Sequence, residues 1–278
     1  MTTIKARLVP YDVLSIKDEN IEVFPFLRSE NGSHEMYNIS SHHGRSYIVG
    51  KTDNGRFVVS KGNGLSYSQY LFLNTKEYGD NTLGLLLKKD AERDFILGME
   101  IHSMGIKTNE MRCVIELREE IQLQTGHILR PVLLQYDVEC PYRICDAAFM
   151  TPEQIQTEIG KWERMNERGY NKAHMIAANV LIRNLRILHG HEILHNAIHE
   201  QNYTWALELL DFELACSPTH PYTSEDDMKS VKDYFPREIM QTYVIINYIA
   251  SVLREGIDFA EVDALFAEYG FDLKKYVV

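Results

Sequence analysis

Residues 188–196 read Leu188-His189-Gly190-His191-Glu192-Ile193-Leu194-His195-Asn196, and the apolar run that follows leads to Asp211-Phe212-Glu213. Two chemistries fit this stretch. As H-E-x-x-H, His191 and His195 take the i,i+4 spacing that puts two imidazoles on one helix face. Glu192 is then the base toward a zinc-bound water, with His199, Glu208 or Glu213 as third ligand of a zinc hydrolase. Gly190 weakens the continuous helix such a site needs, and the longer metalloprotease extension is missing. As a kinase-type catalytic loop, His189-x-His191-x-x-x-x-Asn196 has the spacing of H-x-D-x-x-x-x-N. Asp211-Phe212-Glu213 then stands in the place of Asp-Phe-Gly, and Asn196 and Asp211 offer the hard oxygen donors that hold Mg²⁺ (or Mn²⁺) on ATP phosphates. His191 occupies the position of the usual catalytic aspartate.

A kinase-type loop requires a lysine at a strand end and an acid on the next helix to orient it. Working outward, Ser46–Val49 and Arg56–Ser60 are β-prone runs joined through Asn54-Gly55, whose positive φ angles suit a hairpin. Lys61 closes the second run, and Gly62 and Gly64 break it. Asp94 lies on a helix expected over Asp90–Met104, stopped by Gly105. Val114–Leu117 and Ile128–Leu134 read as further strands. Thr151-Pro152-Glu153, with a threonine cap and a first-turn proline, then opens helical texture. Helices are expected over Gln154–Arg168, Lys172–Leu188, Pro236–Leu253 and Phe259–Tyr269, with a short strand at Trp205–Leu210. The fold class is therefore α+β, a protein-kinase-like two-lobe plan. Residues 1–150 form a β-rich lobe with one helix, and residues 151–278 form a helical lobe carrying the catalytic and metal loop.

The 278 residues contain 29 Lys+Arg against 40 Asp+Glu, a net charge of −11, so nucleic-acid binding through clustered cations is not expected. No apolar run is long enough to span a bilayer, and MTTIKARLVPYD lacks a signal-peptide core, so neither a membrane partner nor export is expected. Cys113, Cys140, Cys145 and Cys216 are irregularly spaced and read as free thiols of a cytoplasmic protein. Met99 and Met104 read as core filling.

The ordered set of motifs resembles the selenoprotein O family. Lys61-Gly62-Asn63-Gly64-Leu65-Ser66-Tyr67-Ser68 is similar to its Lys-Gly-x-Gly-x-(Thr-Pro)-Tyr-Ser segment. The stretch Leu87 to Thr108, through Arg93-Asp94-Phe95 and His102-Ser103-Met104-Gly105-Ile106, is similar to its Arg-Glu-Phe/Ser helix. Leu188-His189-Gly190, Asn196 and Asp211 resemble its metal loop, and the resemblance covers roughly residues 44 to 215. It implies a kinase-like protein without the ordinary catalytic aspartate, which binds ATP in an inverted orientation and transfers AMP to a hydroxyl of a protein substrate. By that resemblance Lys61 contacts phosphate, Asp94 orients Lys61, and Asn196 and Asp211 hold Mg²⁺. Arg130 and Arg143 are loose counterparts of a phosphate-binding arginine pair. The chain departs from the family at His195, where an acid stands, at Asp94, a shortened glutamate, and in lacking the C-terminal Cys-x-x-selenocysteine tail. His195, a neutral imidazole near pH 7, is the candidate general base. The expected function is AMP transfer from ATP to a protein or small-molecule hydroxyl. The alternatives are a phosphotransferase or a nucleotide-binding pseudokinase, and the zinc hydrolase.

Overall fold

The computed structural model describes residues 1–40, 43–64, 84–122, 128–221 and 231–275. Leu65-Ser66-Tyr67-Ser68 of the family-like segment lie outside the described residues. The chain forms two compact units, Met1–Met99 with Asn109–Pro141, and Glu100–Thr108 with Tyr142–Val278.

The first unit is built on an antiparallel sheet. Its strands are β1 (Thr2–Leu8), β2 (Tyr11–Ile16), β3 (Phe26–Arg28), β4 (His34–Asn38), β5 (Ser46–Lys51), β6 (Phe57–Lys61), β7 (Glu110–Leu117) and β10 (Val132–Val138), in the order β2-β7-β10-β6-β5-β4-β1-β3. A separate ribbon pairs β8 (Ile121–Gln122) with β9 (Ile128–Leu129). The expected β5–β6 hairpin forms: Gly55 takes φ +83°, and its N–H donates to the Thr52 carbonyl at 2.9 Å. Because β6 lies between β5 and β10, Val58, Val59, Ser60 and Lys61 are all buried, and the register sets Lys61 opposite Ser46 and Leu134. Apolar packing around Cys113, Ile115, Leu117 and Leu133, and separately around Met36, Tyr47, Val49 and Val58, stabilises the sheet by about 1.5–3 kcal/mol per fully buried side chain.

After Lys61 the chain requires a glycine for a steric reason. Gly62 has φ +102°, and a Cβ there would meet the Val132 carbonyl oxygen at 2.4 Å and Leu86 Cβ at 2.8 Å. Helix α1 (Lys88–Ser103) ends before Gly105, which takes φ +83°. The continuous strand expected over Ile128–Leu134 is two strands. Arg130-Pro131 separates them, since proline brings no N–H to a ladder. Strands β1 to β4 precede every strand singled out in the sequence.

In the second unit, α2 (Pro152–Arg164) starts from a reciprocal cap. The Gln154 N–H donates to Thr151 Oγ1 at 3.3 Å, and the Thr151 N–H donates to Gln154 Oε1 at 2.8 Å. Then come α3 (Ala173–Gly190), α4 (Phe235–Leu253) and α5 (Phe259–Glu268). The strand expected over Trp205–Leu210 is instead a tight reversal. The N–H groups of Ala206 and Glu208 both donate to Thr204 Oγ1 at 3.2 Å, and Leu207 takes φ +59°. Its apolar residues are buried by packing, with Trp205 stacked on Trp162 at 5.5 Å. Met99, expected in the core, is 37% exposed. Among the described residues, no helix is long and apolar enough to cross a membrane.

Candidate functional site

In the first unit, Lys61 Nζ donates to Asp94 Oδ2 at 2.9 Å, with the two residues 3% and 1% exposed. The end of a central strand thus delivers a lysine, and one face of α1 delivers the carboxylate that neutralises it. A charge that deep costs several kcal/mol to desolvate unless paired, so each side chain requires the other. Gly62-Asn63-Gly64 is tied into the sheet. Asn63 Nδ2 donates to the Phe26 carbonyl at 2.7 Å, the Asn63 carbonyl accepts from the Arg28 N–H at 3.0 Å, and the Gly64 carbonyl accepts from the Tyr47 hydroxyl. Arg130 does not resemble a phosphate ligand: its side chain is 53% exposed and pairs with Glu120 at 3.0 Å beside the β8–β9 ribbon. Asp12, Arg118, Glu120 and Arg130 line a surface depression in which opposite charges alternate.

In the second unit, residues 189–216 fold into a closed loop. Leu194 and Cys216 exchange backbone hydrogen bonds at 3.0 and 2.8 Å, and Leu210 N–H donates to the Asn202 carbonyl at 2.9 Å. His189 Nε2 bonds Glu238 Oε2 at 2.9 Å, and its ring stacks on Phe235 at 3.7 Å. Asn196 N–H donates to Glu238 Oε1 at 2.6 Å. One buried carboxylate on the first turn of α4 therefore holds both ends of the 189–196 segment. Asn196 Oδ1, the expected metal ligand, accepts from the Arg237 guanidinium. Lys232 pairs with Glu192 at 2.6 Å at the surface.

The histidines take other places than the sequence suggested. His191 is the exposed C-cap of α3, and Glu192 after it has φ +57°, so the helix stops where H-E-x-x-H needs it to continue. His191 and His195 do not share a helix face, which removes the geometric basis of the zinc reading. His195 is 0% exposed. Its Nε2–H donates to the Leu210 carbonyl at 2.9 Å, and the ring lies edge-on to Phe212 at 5.3 Å. Burial holds its pKa below the ordinary imidazole value, against the opposing pull of Glu238 and Asp211. A ring so enclosed presents no nitrogen to a substrate hydroxyl. It braces the backbone just before Asp211, and this corrects the general-base expectation. Half-buried His199 also has a pKa lowered by desolvation, with Glu200 and Asp211 opposing and Arg143 reinforcing. Arg143 is itself buried, and its backbone N–H donates to Asp146 Oδ2 at 2.8 Å.

Among the described residues, five non-glycine positions have positive φ, and Glu192, Asn196, Leu207 and Asp211 all fall in this one loop. Such conformations cost roughly 1–3 kcal/mol each and persist where the surroundings over-determine them, which is common at functional sites. Asp211 and Glu213 bring carboxylate oxygens within 4.8 Å of each other. Two hard oxygen donors at this separation fit Mg²⁺ or Mn²⁺. The amide oxygen of Asn196 accepts from the Arg237 guanidinium, which sets a positive charge beside the expected metal ligand. Sequence reasoning missed Arg237 and Glu238. The signal available was Phe235-Pro236-Arg237-Glu238, a proline at the start of a helix followed by a charged pair on an otherwise apolar segment.

No family model matches the chain, and no curated protein matches it. Two similar solved structures are kinase domains. A Toxoplasma gondii rhoptry antigen kinase domain is 11% identical with a TM-score of 0.43, and the alignment covers 89% of this chain and 78% of that one. The Toxoplasma ROP18 kinase domain, solved with AMP-PNP and sucrose, is 12% identical with a TM-score of 0.40, covering 98% and 78%. The strand-rich first unit and the helical second unit fit the expected α+β class.

Proposed function

We propose that this chain is a kinase-like, ATP-binding protein that transfers AMP to a hydroxyl of a protein or small-molecule acceptor, as its resemblance to the selenoprotein O family implies. The observation that carries the nucleotide reading is the buried Lys61–Asp94 pair, a lysine oriented by a helix carboxylate at a strand end. In this reading Lys61 meets phosphate oxygens, Asp94 fixes the direction of its ammonium, and Asp211 with Glu213 holds the divalent ion. The ion, when bound, neutralises phosphate charge as bonds to phosphorus change. His195 keeps Asp211 in register through the Leu210 carbonyl and is a positioning residue. The chain's own contribution is alignment and charge, which is most of what transfer at phosphorus requires.

A second reading, a nucleotide-binding pseudokinase, is favoured by the enclosure of His195 and the engagement of Asn196, which leave the loop without an exposed base at either position. Two measurements separate the readings. Saturating Mg-ATP at ~100 times Kd should stabilise the protein by ~2.7 kcal/mol, and Asp211→Asn should remove the magnesium-dependent part. Incubation with ATP and candidate acceptors, read by peptide mass, should then yield an adenylyl increment. A phosphoryl increment would point to γ-transfer, and binding without any product to the pseudokinase. No melting shift and no calorimetric binding would end the nucleotide reading.

A further inference from the structure

We propose that Arg237 supplies, at Asn196, the positive charge that a second divalent ion brings to a two-metal kinase-type site, so that this chain takes up ATP with a single divalent cation held at Asp211. The inference rests on the nucleotide-binding reading above and specifies how that site is charged. Where a catalytic-loop asparagine holds a second cation, its amide oxygen must point at the metal. Here that oxygen accepts a guanidinium hydrogen bond from Arg237.

The arrangement is fixed from several sides. Asn196 has φ +67°, and its N–H is held by Glu238 Oε1 at 2.6 Å, so its backbone is pinned to the same turn that carries Arg237. His189 is anchored to that turn as well, through Glu238 at 2.9 Å and through its stack on Phe235. The Arg237 guanidinium lies over the Tyr234 ring at 5.4 Å, which favours a cation in that place. A divalent ion at the Asn196 oxygen would meet like-charge repulsion from the Arg237 guanidinium.

A guanidinium suits the replacement. It remains charged at any working pH, and its planar fork carries five donors that match phosphate oxygens. One donor engages Asn196, and the side chain is exposed, so other N–H groups can meet an anion. The ligand class this predicts is a nucleoside triphosphate carrying one divalent ion. Asp211 and Glu213, two carboxylates with oxygens within 4.8 Å, offer donors to that ion.

The test counts metal. The full-length chain is mixed with a non-hydrolysable ATP analogue and titrated with Mn²⁺, and bound ion is read by electron paramagnetic resonance. Wild type should bind one Mn²⁺ per nucleotide complex. Arg237→Gln, which removes the charge and keeps hydrogen-bonding capacity, should bind two. Its nucleotide affinity should fall about tenfold at low Mg²⁺ and recover as Mg²⁺ is raised and the second ion enters. Arg237→Lys should keep the count at one. Circular dichroism confirms that the variants are folded, as expected for changes at an exposed side chain. Two ions on wild type, or a count of one with unchanged affinity in Arg237→Gln, overturns the proposal while leaving nucleotide binding intact. Wild type that binds no nucleotide at any Mn²⁺ concentration overturns the functional reading first and this inference with it.

Discussion

The Lys61–Asp94 pair makes the strongest quantitative prediction. Its charges lie 2.9 Å apart with side chains 4% and 2% exposed. At an effective dielectric of about 20 their gross attraction is on the order of 6 kcal/mol, but desolvation of the two ions costs several kcal/mol each and offsets most of it. Net stabilisation by the intact pair is therefore small, whereas breaking it leaves one buried charge without its ion-pair partner. Lys61→Met and Asp94→Leu should each destabilise the protein by about 3–5 kcal/mol. The double variant, with both charges gone, should cost less than the sum by roughly 2–3 kcal/mol. Urea unfolding followed by circular dichroism on all four proteins gives the coupling directly. Single variants within about 1 kcal/mol of wild type, or strictly additive costs, would refute the claim that the pair is buried and mutually dependent. Mg-ATP supplies a second axis: Lys61→Met should lose most of the ligand-induced stabilisation even under conditions where it is fully folded.

Glu238→Ala removes the acceptor for both His189 and Asn196 and should destabilise by about 3–5 kcal/mol, with Glu238→Gln costing less because one acceptor remains; thermal unfolding checks both. Gly62→Ala should cost about 2–5 kcal/mol, from the contact with the Val132 carbonyl and from the positive φ, while Gly55→Ala, with open space around it, should cost about 1 kcal/mol. His195 and His199 have pKa values lowered by burial from the ordinary 6.5, so the unfolded chain binds protons that the folded chain refuses. Their contribution is therefore fully present above about pH 6.5 and is lost as pH falls, by at most about 1.4 kcal/mol per pH unit for each histidine. His195→Phe should flatten the stability–pH slope in that window, and an unchanged slope would show that His195 does not titrate there.

What the sequence determined by itself was local. Asn54-Gly55 permits the hairpin angles, Thr151 with Gln154 caps a helix, and Gly105 ends another, because each signal acts within a few residues of backbone. The strand-then-helix order also sets Lys61 on a strand end and Asp94 on the helix that follows, and their side chains meet. Where tertiary packing competes, the one-dimensional reading loses resolution. Trp205–Leu210 has the composition of a strand, yet the Thr204 hydroxyl and the Trp162 stack draw it into a reversal. Spacing alone makes His191 and His195 look like a pair. Only the end of α3 at Gly190 separates them, leaving one at the surface and the other sealed beneath Leu210. The partners of Asn196 lie 41 and 42 residues away, and no short-range pattern links an asparagine to the arginine and glutamate that meet it. Long-range hydrogen bonds form because buried polar groups must be satisfied by whatever the fold brings near, and which groups those are is decided by the packing of α4 on α3.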